Sequence, residues 1–236
     1  MPARTSSRAC EADRDSVPPA WQSFGEASAL GNLGWVRQRQ GRYQEAASCN
    51  KQSLDLAREI GNRDGEAWAL GRLGVIDLQQ GRFQQAVGYL QQALALFRGN
   101  GSTIGESEIL FRLGEAYLGL DRYEQAAGNF DRALAMSGDI GDPGREADAL
   151  NGLGDVLVRT GEAGQARAHH AAALRLAAEG GSPQQQARAH SGLASACHAS
   201  GDSVQARHHW QEALSRYAAI GAAEAEEIRA RLAMAD

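Results

Sequence analysis

One pattern recurs five times at a spacing of 40 residues along this chain, without insertion, from about residue 25 to residue 224. A leucine stands at Leu33, Leu73, Leu113, Leu153 and Leu193. The residue after it is Gly34, Gly74, Gly114, Gly154 and then Ala194. An alanine column follows at Ala46, Ala86, Ala126, Ala166 and Ala206, and a second leucine column at Leu54, Leu94, Leu134, Leu174 and Leu214. A fixed period of this length means one supersecondary unit stacked on copies of itself, since a single unit cannot bury its own apolar face.

Each unit reads as two helices. Helix A of the first spans roughly 26–40, with Leu30, Leu33 and Gly34 on one face at spacings of three and four. A turn follows at Gly41-Arg42-Tyr43, Gly81-Arg82-Phe83, Asp121-Arg122-Tyr123, Gly161-Glu162 and Gly201-Asp202. Glycine there suits a left-handed helix end. Helix B then carries the alanine and second leucine columns. The glycine of helix A and the alanine of helix B let the pair cross closely, and Tyr43, Phe83 or Tyr123 would plug the space between helices. Glu26, Glu66, Glu106 and Glu146, with Gln186 and Glu226 in the same register, favour the first turn of helix A through the helix dipole and the return half of a cap. Asp142-Pro143 and Ser182-Pro183 read as N-cap and first helical position.

Composition excludes several functions. The formal net charge of −5 and pI of about 5.7 lack the basic footprint that phosphate backbones require, so no direct nucleic-acid contact is expected. No apolar run reaches membrane-span length, so no membrane contact is expected. Lys51 is the only lysine; the arginine-, alanine- and glycine-rich usage suggests a GC-rich bacterial source. Cys10, Cys49 and Cys197 are odd in number and have no CxxC spacing, against a disulfide framework and for a reducing, cytoplasmic location. No P-loop, HExxH or GxSxG motif is present, so no enzyme activity and no cofactor are expected. Gly99-Asn100-Gly101-Ser102-Thr103-Ile104-Gly105 resembles a phosphate-cradling loop but has no strand before it, and reads as an inter-repeat linker. All six histidines, His169, His170, His190, His198, His208 and His209, fall in the last two repeats. His169 and His209 share a register, yet no carboxylate or cysteine completes a metal set, so no metal site is assigned. Cys197 takes a helix-A core position as a buried thiol.

The columns resemble the tetratricopeptide repeat, whose pattern opens W-x2-L-G-x2-Y and continues through A, F, A and P. Leucine, glycine and the helix-B alanine match. The helix-B aromatic matches as Phe130 and Trp210, with Asn50, Leu90 and His170 elsewhere, and the helix-A tyrosine matches as Tyr117. Leu30, Leu70, Leu110, Leu150 and His190 replace the opening tryptophan, and the closing proline is absent. The 40-residue unit with its G-[DN]-x-x-G-E-A linker is similar to the subclass of spindle adaptors, kinesin light chains and the sensor regions of actinobacterial transcription regulators. The resemblance implies an all-α, right-handed α-solenoid of five repeats (about 25–64, 65–104, 105–144, 145–184 and 185–224). A capping helix over 222–234 and a disordered tail over 1–20 complete the expected chain. Trp21 and Phe24 are expected to cover the first helix.

In such an array helix A lines the concave side. Residues just before the leucine column, and two and five after it, then form a ladder. Its candidate partner-binding residues are Asn32, Trp35, Trp68, Arg72, Arg112, Glu115, Asn151 and Asp155. Arginine and asparagine suit a peptide's backbone and carboxylates, and Trp35 beside Val75, with Trp68 nearby, suits an aromatic anchor pocket. The competing reading is that Arg72 and Arg112 merely pair with Glu115 and neighbouring carboxylates. The function expected is a scaffold or adaptor holding a protein or peptide in the concave groove, with homodimerisation through the end repeats left open. The alternative is a ligand-sensing regulatory module related to bacterial transcription regulators.

Overall fold

A computed structural model describes the backbone of residues 19–234 and the side chains of residues 23–233. Eleven α-helices and no strand occupy the described residues. They fall into two units, the first ending at Gly101 and the second beginning at Ser102.

The first unit holds α1 (Pro19–Arg39), α2 (Tyr43–Glu59), α3 (Arg63–Gln79) and α4 (Phe83–Asn100). The second holds α5 (Thr103–Gly119), α6 (Tyr123–Ile140), α7 (Pro143–Thr160), α8 (Ala163–Glu179), α9 (Pro183–Ala199), α10 (Ser203–Ala219) and α11 (Glu224–Met234). Odd-numbered helices through α9 are the A helices, and each packs on the B helix that follows it. Helix α1 starts at Pro19, inside the segment expected to be a disordered tail. Residues 1–18 of that tail, Cys10 and the side chain of Trp21 lie outside the described residues.

The glycine column works differently from the expected glycine–alanine contact. A Cβ on Gly34 would meet the side chain of Asn50 at 2.5 Å, one on Gly74 would meet Leu90 at 2.7 Å, and one on Gly114 would meet the Phe130 ring at 2.5 Å. The glycine is the socket for the helix-B side chain 16 residues later, and that side chain fills the middle of each helix pair. Phe130, Leu90, Asn50 and His170 are all fully buried there.

Helix ends carry the expected punctuation. Gly41, Gly81, Gly161 and Gly201 have φ between 71° and 88°, where a side chain would be strained; Asp121 holds the same place at φ 57°. Asp142 and Ser182 accept from the backbone N–H groups of Arg145 and Gln185. Asn62, Ser102 and Asp202 do the same for α3, α5 and α10. The glycine-rich stretch 99–105 is therefore the end of α4, a left-handed Gly101 and an N-cap for α5. The first-turn glutamates pair sideways: Glu66 accepts from Arg58 Nε at 2.8 Å, and Glu106 lies 3.5 Å from Arg132.

Helix α11 closes the end of the second unit. Ala225 and Ile228, with Leu232, pack on the cluster formed by Trp210, Tyr217 and Cys197.

Candidate functional site

In the first unit a cleft of about 290 Å³ opens beside the A helices α1 and α3. Phe24, Asn32, Asn62, Asp64, Trp68 and Arg72 line it; Asp64 accepts from Asn100 and makes no ion pair with Arg72. Trp68 is fixed edge-on against Phe97, ring centroids 5.0 Å apart, and presents its remaining face to the cleft. Gly31 makes room for Arg72, because a Cβ at that position would collide with the guanidinium. Ser53 donates to the Ala27 carbonyl at 2.8 Å, which ties α2 beneath the cleft. Phe24 is 46% exposed and borders this cleft.

Arg72 stands apart electrostatically. Burial lowers its pKa from the ordinary arginine value, and no carboxylate opposes that shift. Among the described residues no ion pair or hydrogen bond to its guanidinium exists. A half-buried cation with nothing to neutralise it leaves unspent donors in a fixed, planar fork.

Trp35 was expected to join Trp68 in an anchor pocket. It does not line the cleft; it is 53% exposed and carries Arg39 over its ring at 5.7 Å.

In the second unit the A helices α5, α7 and α9 share a charge network. Arg112 donates to Glu108 at 2.8 Å and to Glu115 at 2.9 Å. Arg145 bridges Glu108 at 2.6 Å and Asp142 at 3.0 Å. Arg188 lies 3.7 Å from Asp148, 3.6 Å from Asp155 and 4.0 Å from Glu115. Arg112 and Arg188 both stack on Phe111, at 5.0 and 5.4 Å. Burial opposes the charge on Arg112, but Glu115 and Glu108 outweigh it and hold its pKa above the ordinary value. Arg188 is held up in the same way by Asp155, Glu115 and Asp148. Burial also opposes ionisation of Glu108, yet Arg112 and Arg145 bring its pKa below the usual value. At Asp148 burial prevails and the pKa rises. Arg112, Arg145 and Arg188 are each met by carboxylates of the same unit.

Asn151 is not on an open face. It is fully buried, and its side-chain oxygen lies 3.0 Å from Nδ1 of His170. Its register differs from that of Asn32 and Arg72 by one residue, which turns it from the groove into the helix pair. His170 is a core residue whose pKa burial lowers; its Nε2 lies 3.7 Å from Asp155. The histidines of the last repeat pair as His190 with His209, Nδ1 to Nδ1 at 3.1 Å, and not as His169 with His209. No group of three metal-ligating side chains occurs among the described residues.

Glu108, Arg145, Asp148 and Arg188 were missed in the sequence. Three of them share one column, which reads Ser28, Trp68, Glu108, Asp148 and Arg188 at the 40-residue period. That column lies one helical turn before the first rung and faces the same way. Trp68 belongs to it, so reading its register through the other repeats would have found them.

Residues 25–99 and 145–219 match a family model described as tetratricopeptide repeat, and a second model of that description matches residues 77–128. No curated protein sequence matches significantly. Among solved structures, BtubC from P. vanneervenii is similar at a TM-score of 0.68 and 22% identity, with 92% of this chain and 93% of that one covered. Aspartyl phosphate phosphatase F from Bacillus subtilis reaches 0.74 at 15% identity, over 97% of this chain and 60% of that one. A Rap protein complexed with competence and sporulation factor reaches 0.71 at 15% identity, over 91% and 70%. At these identities the likeness shows the fold.

Proposed function

Because the chain belongs to the tetratricopeptide-repeat family, we propose that it is a protein- or peptide-binding scaffold whose first-unit cleft receives an acidic segment of its partner. The observation that carries this reading is Arg72, a half-buried guanidinium with no carboxylate of its own, set beside the exposed face of Trp68 and the amides of Asn32 and Asn62. A carboxylate from outside would restore the neutralisation that Arg112, Arg145 and Arg188 obtain from neighbouring residues. A charge-assisted, two-pronged contact supplies both strength and orientation. The adjacent indole gives the partner an apolar anchor.

Arg112, Glu115 and Asp155 act as a prepaired polar face beside which a partner could lie. Their hydrogen-bonding capacity is largely committed, so their share in affinity is small. We assign no reaction to the chain. The free thiols of Cys49 and the buried Cys197 accord with a cytoplasmic setting.

The sensor reading differs in the occupant: a small carboxylate ligand would take the place of a peptide at Arg72. Affinity capture from host cells with immobilised wild-type chain and Arg72→Ala chain, read by quantitative mass spectrometry, separates the two. A protein enriched by the wild type and lost with Arg72→Ala supports the scaffold. Absence of any such protein, alongside tight binding of a small carboxylate, would sink it.

A further inference from the structure

Three positions on the outer face of every later A helix are covered. Ala69, Leu73 and Ile76 on α3, Ile109, Leu113 and Ala116 on α5, Ala149, Leu153 and Val156 on α7, and Ala189, Leu193 and Ala196 on α9 are all buried, none more than 7% exposed. In α1 the same positions are Ala29, Leu33 and Val36. Ala29 is exposed, Leu33 is 42% exposed and Val36 is 41% exposed. This is the face on which the preceding B helix packs: α2 on α3, α6 on α7 and α8 on α9. Helix α1, among the described residues, packs on α2 and α3 alone.

Glu26 carries the same signature in charge. Its counterpart Glu66 is met by Arg58 of the preceding B helix at 2.8 Å. Glu26 is exposed and has no ion pair among the described residues. Whatever covers α1 should therefore offer an apolar stripe flanked by a cation.

Residues 1–18 fit that description poorly. Their only large aliphatic side chains are Met1 and Val17, and they contain no aromatic residue. The α11 face of a second copy fits no better, because α11 turns Glu224, Glu226 and Arg229 outward, with Glu226 paired to Arg229. A second α1 does fit. Laid antiparallel about Leu33, two copies set Ala29 of each against Val36 of the other. The same geometry sets Glu26 opposite Gln40 of the other copy, within one helical turn of Arg37, whose bond to Glu45 is a long 3.6 Å. We propose that α1 docks against α1 of a second copy of this chain, antiparallel across a two-fold axis at Leu33. Such an isologous contact closes on itself and covers both open faces at once. It leaves the cleft at Arg72 free, because Phe24 and Asn32, which line that cleft, lie on the adjoining face of α1.

Sedimentation velocity over a wide concentration range, together with cysteine cross-linking, tests this. The wild type should show a monomer–dimer equilibrium, and Leu33→Glu with Val36→Glu should remain monomeric with unchanged helical content. With Cys10, Cys49 and Cys197 replaced, Leu33→Cys should form a disulfide-linked dimer about tenfold faster than an Arg229→Cys control, because the two-fold contact raises its effective concentration. A wild type that stays monomeric throughout overturns the proposal. So does a dimer that survives Leu33→Glu with Val36→Glu, or cross-linking at Leu33→Cys no faster than at the control. A monomer whose α1 amides lose hydrogen-exchange protection when residues 1–18 are deleted would overturn it and assign the face to that segment.

Discussion

Gly114 and Gly164 look alike in the sequence and differ in what a methyl group would meet. A Cβ at Gly114 runs into the Phe130 ring, while one at Gly164 on α8 meets nothing within 4 Å. Gly114→Ala is expected to cost about 1–3 kcal/mol by overpacking. Gly164→Ala should gain up to about 1 kcal/mol from helix propensity. Urea denaturation of the two variants measures the difference, and equal midpoints would contradict the socket role of the glycine column. The arginines divide in the same way. Arg112→Ala takes one of two arginine partners from Glu108, which keeps Arg145, and leaves Glu115 only the longer contact to Arg188; both carboxylates are about a quarter exposed, so the loss is discounted to about 1–2 kcal/mol. Arg72→Ala strands nothing and should leave stability within about 0.5 kcal/mol of wild type. Thermal unfolding of both variants checks this contrast.

At the scale of the helix pair, α9 and α10 hold a titratable joint. His190 and His209 face each other Nδ1 to Nδ1, so one of the two must be neutral to accept. Burial foremost, then Arg216, His209 and His208, against the opposing pull of Glu212, takes the His190 pKa down to about 4. Burial foremost, then His208 and Arg167, also lowers that of His209. A folded pKa below the unfolded one means that the unfolded chain takes up the proton first. The contribution is therefore whole above about pH 6.5 and lost as the pH falls towards 4. For His190 the loss is up to roughly 3 kcal/mol at about 1.4 kcal/mol per pH unit. Urea midpoints from pH 7 to pH 4 should fall for the wild type and fall less for His190→Leu, in which the register regains the leucine of the other repeats.

The helices themselves were legible because the period fixes them many times over. Leu73, Leu113, Leu153 and Leu193 are buried as their common register requires. Leu33 is not, because burial at that register depends on a neighbouring helix, which no local pattern encodes. Arg72 and Arg112 share a register, and their difference was not legible. It arises from Glu108 and Glu115, which flank Arg112, where Trp68 and Val75 flank Arg72. His170 and Asn151 could have been placed, since each falls on a register that carries core residues in other repeats.

For the whole molecule, the repeat architecture supplies two kinds of A-helix surface on one chain. The second unit satisfies its charges internally through Arg112, Arg145 and Arg188. The first unit leaves one cation waiting beside an aromatic face. Under the proposed function, an acidic segment of the partner would be recognised at the latter surface. The most direct measurement is fluorescence anisotropy of acid-rich peptides, selected on wild-type chain from an array that also holds neutral and basic peptides. Acidic peptides should dominate the selection, and Arg72→Ala should weaken their binding at least about tenfold, the range of a charge-assisted hydrogen bond, while Arg112→Ala changes it little. Selection without regard to charge, or Arg72→Ala binding at wild-type affinity, would contradict the account.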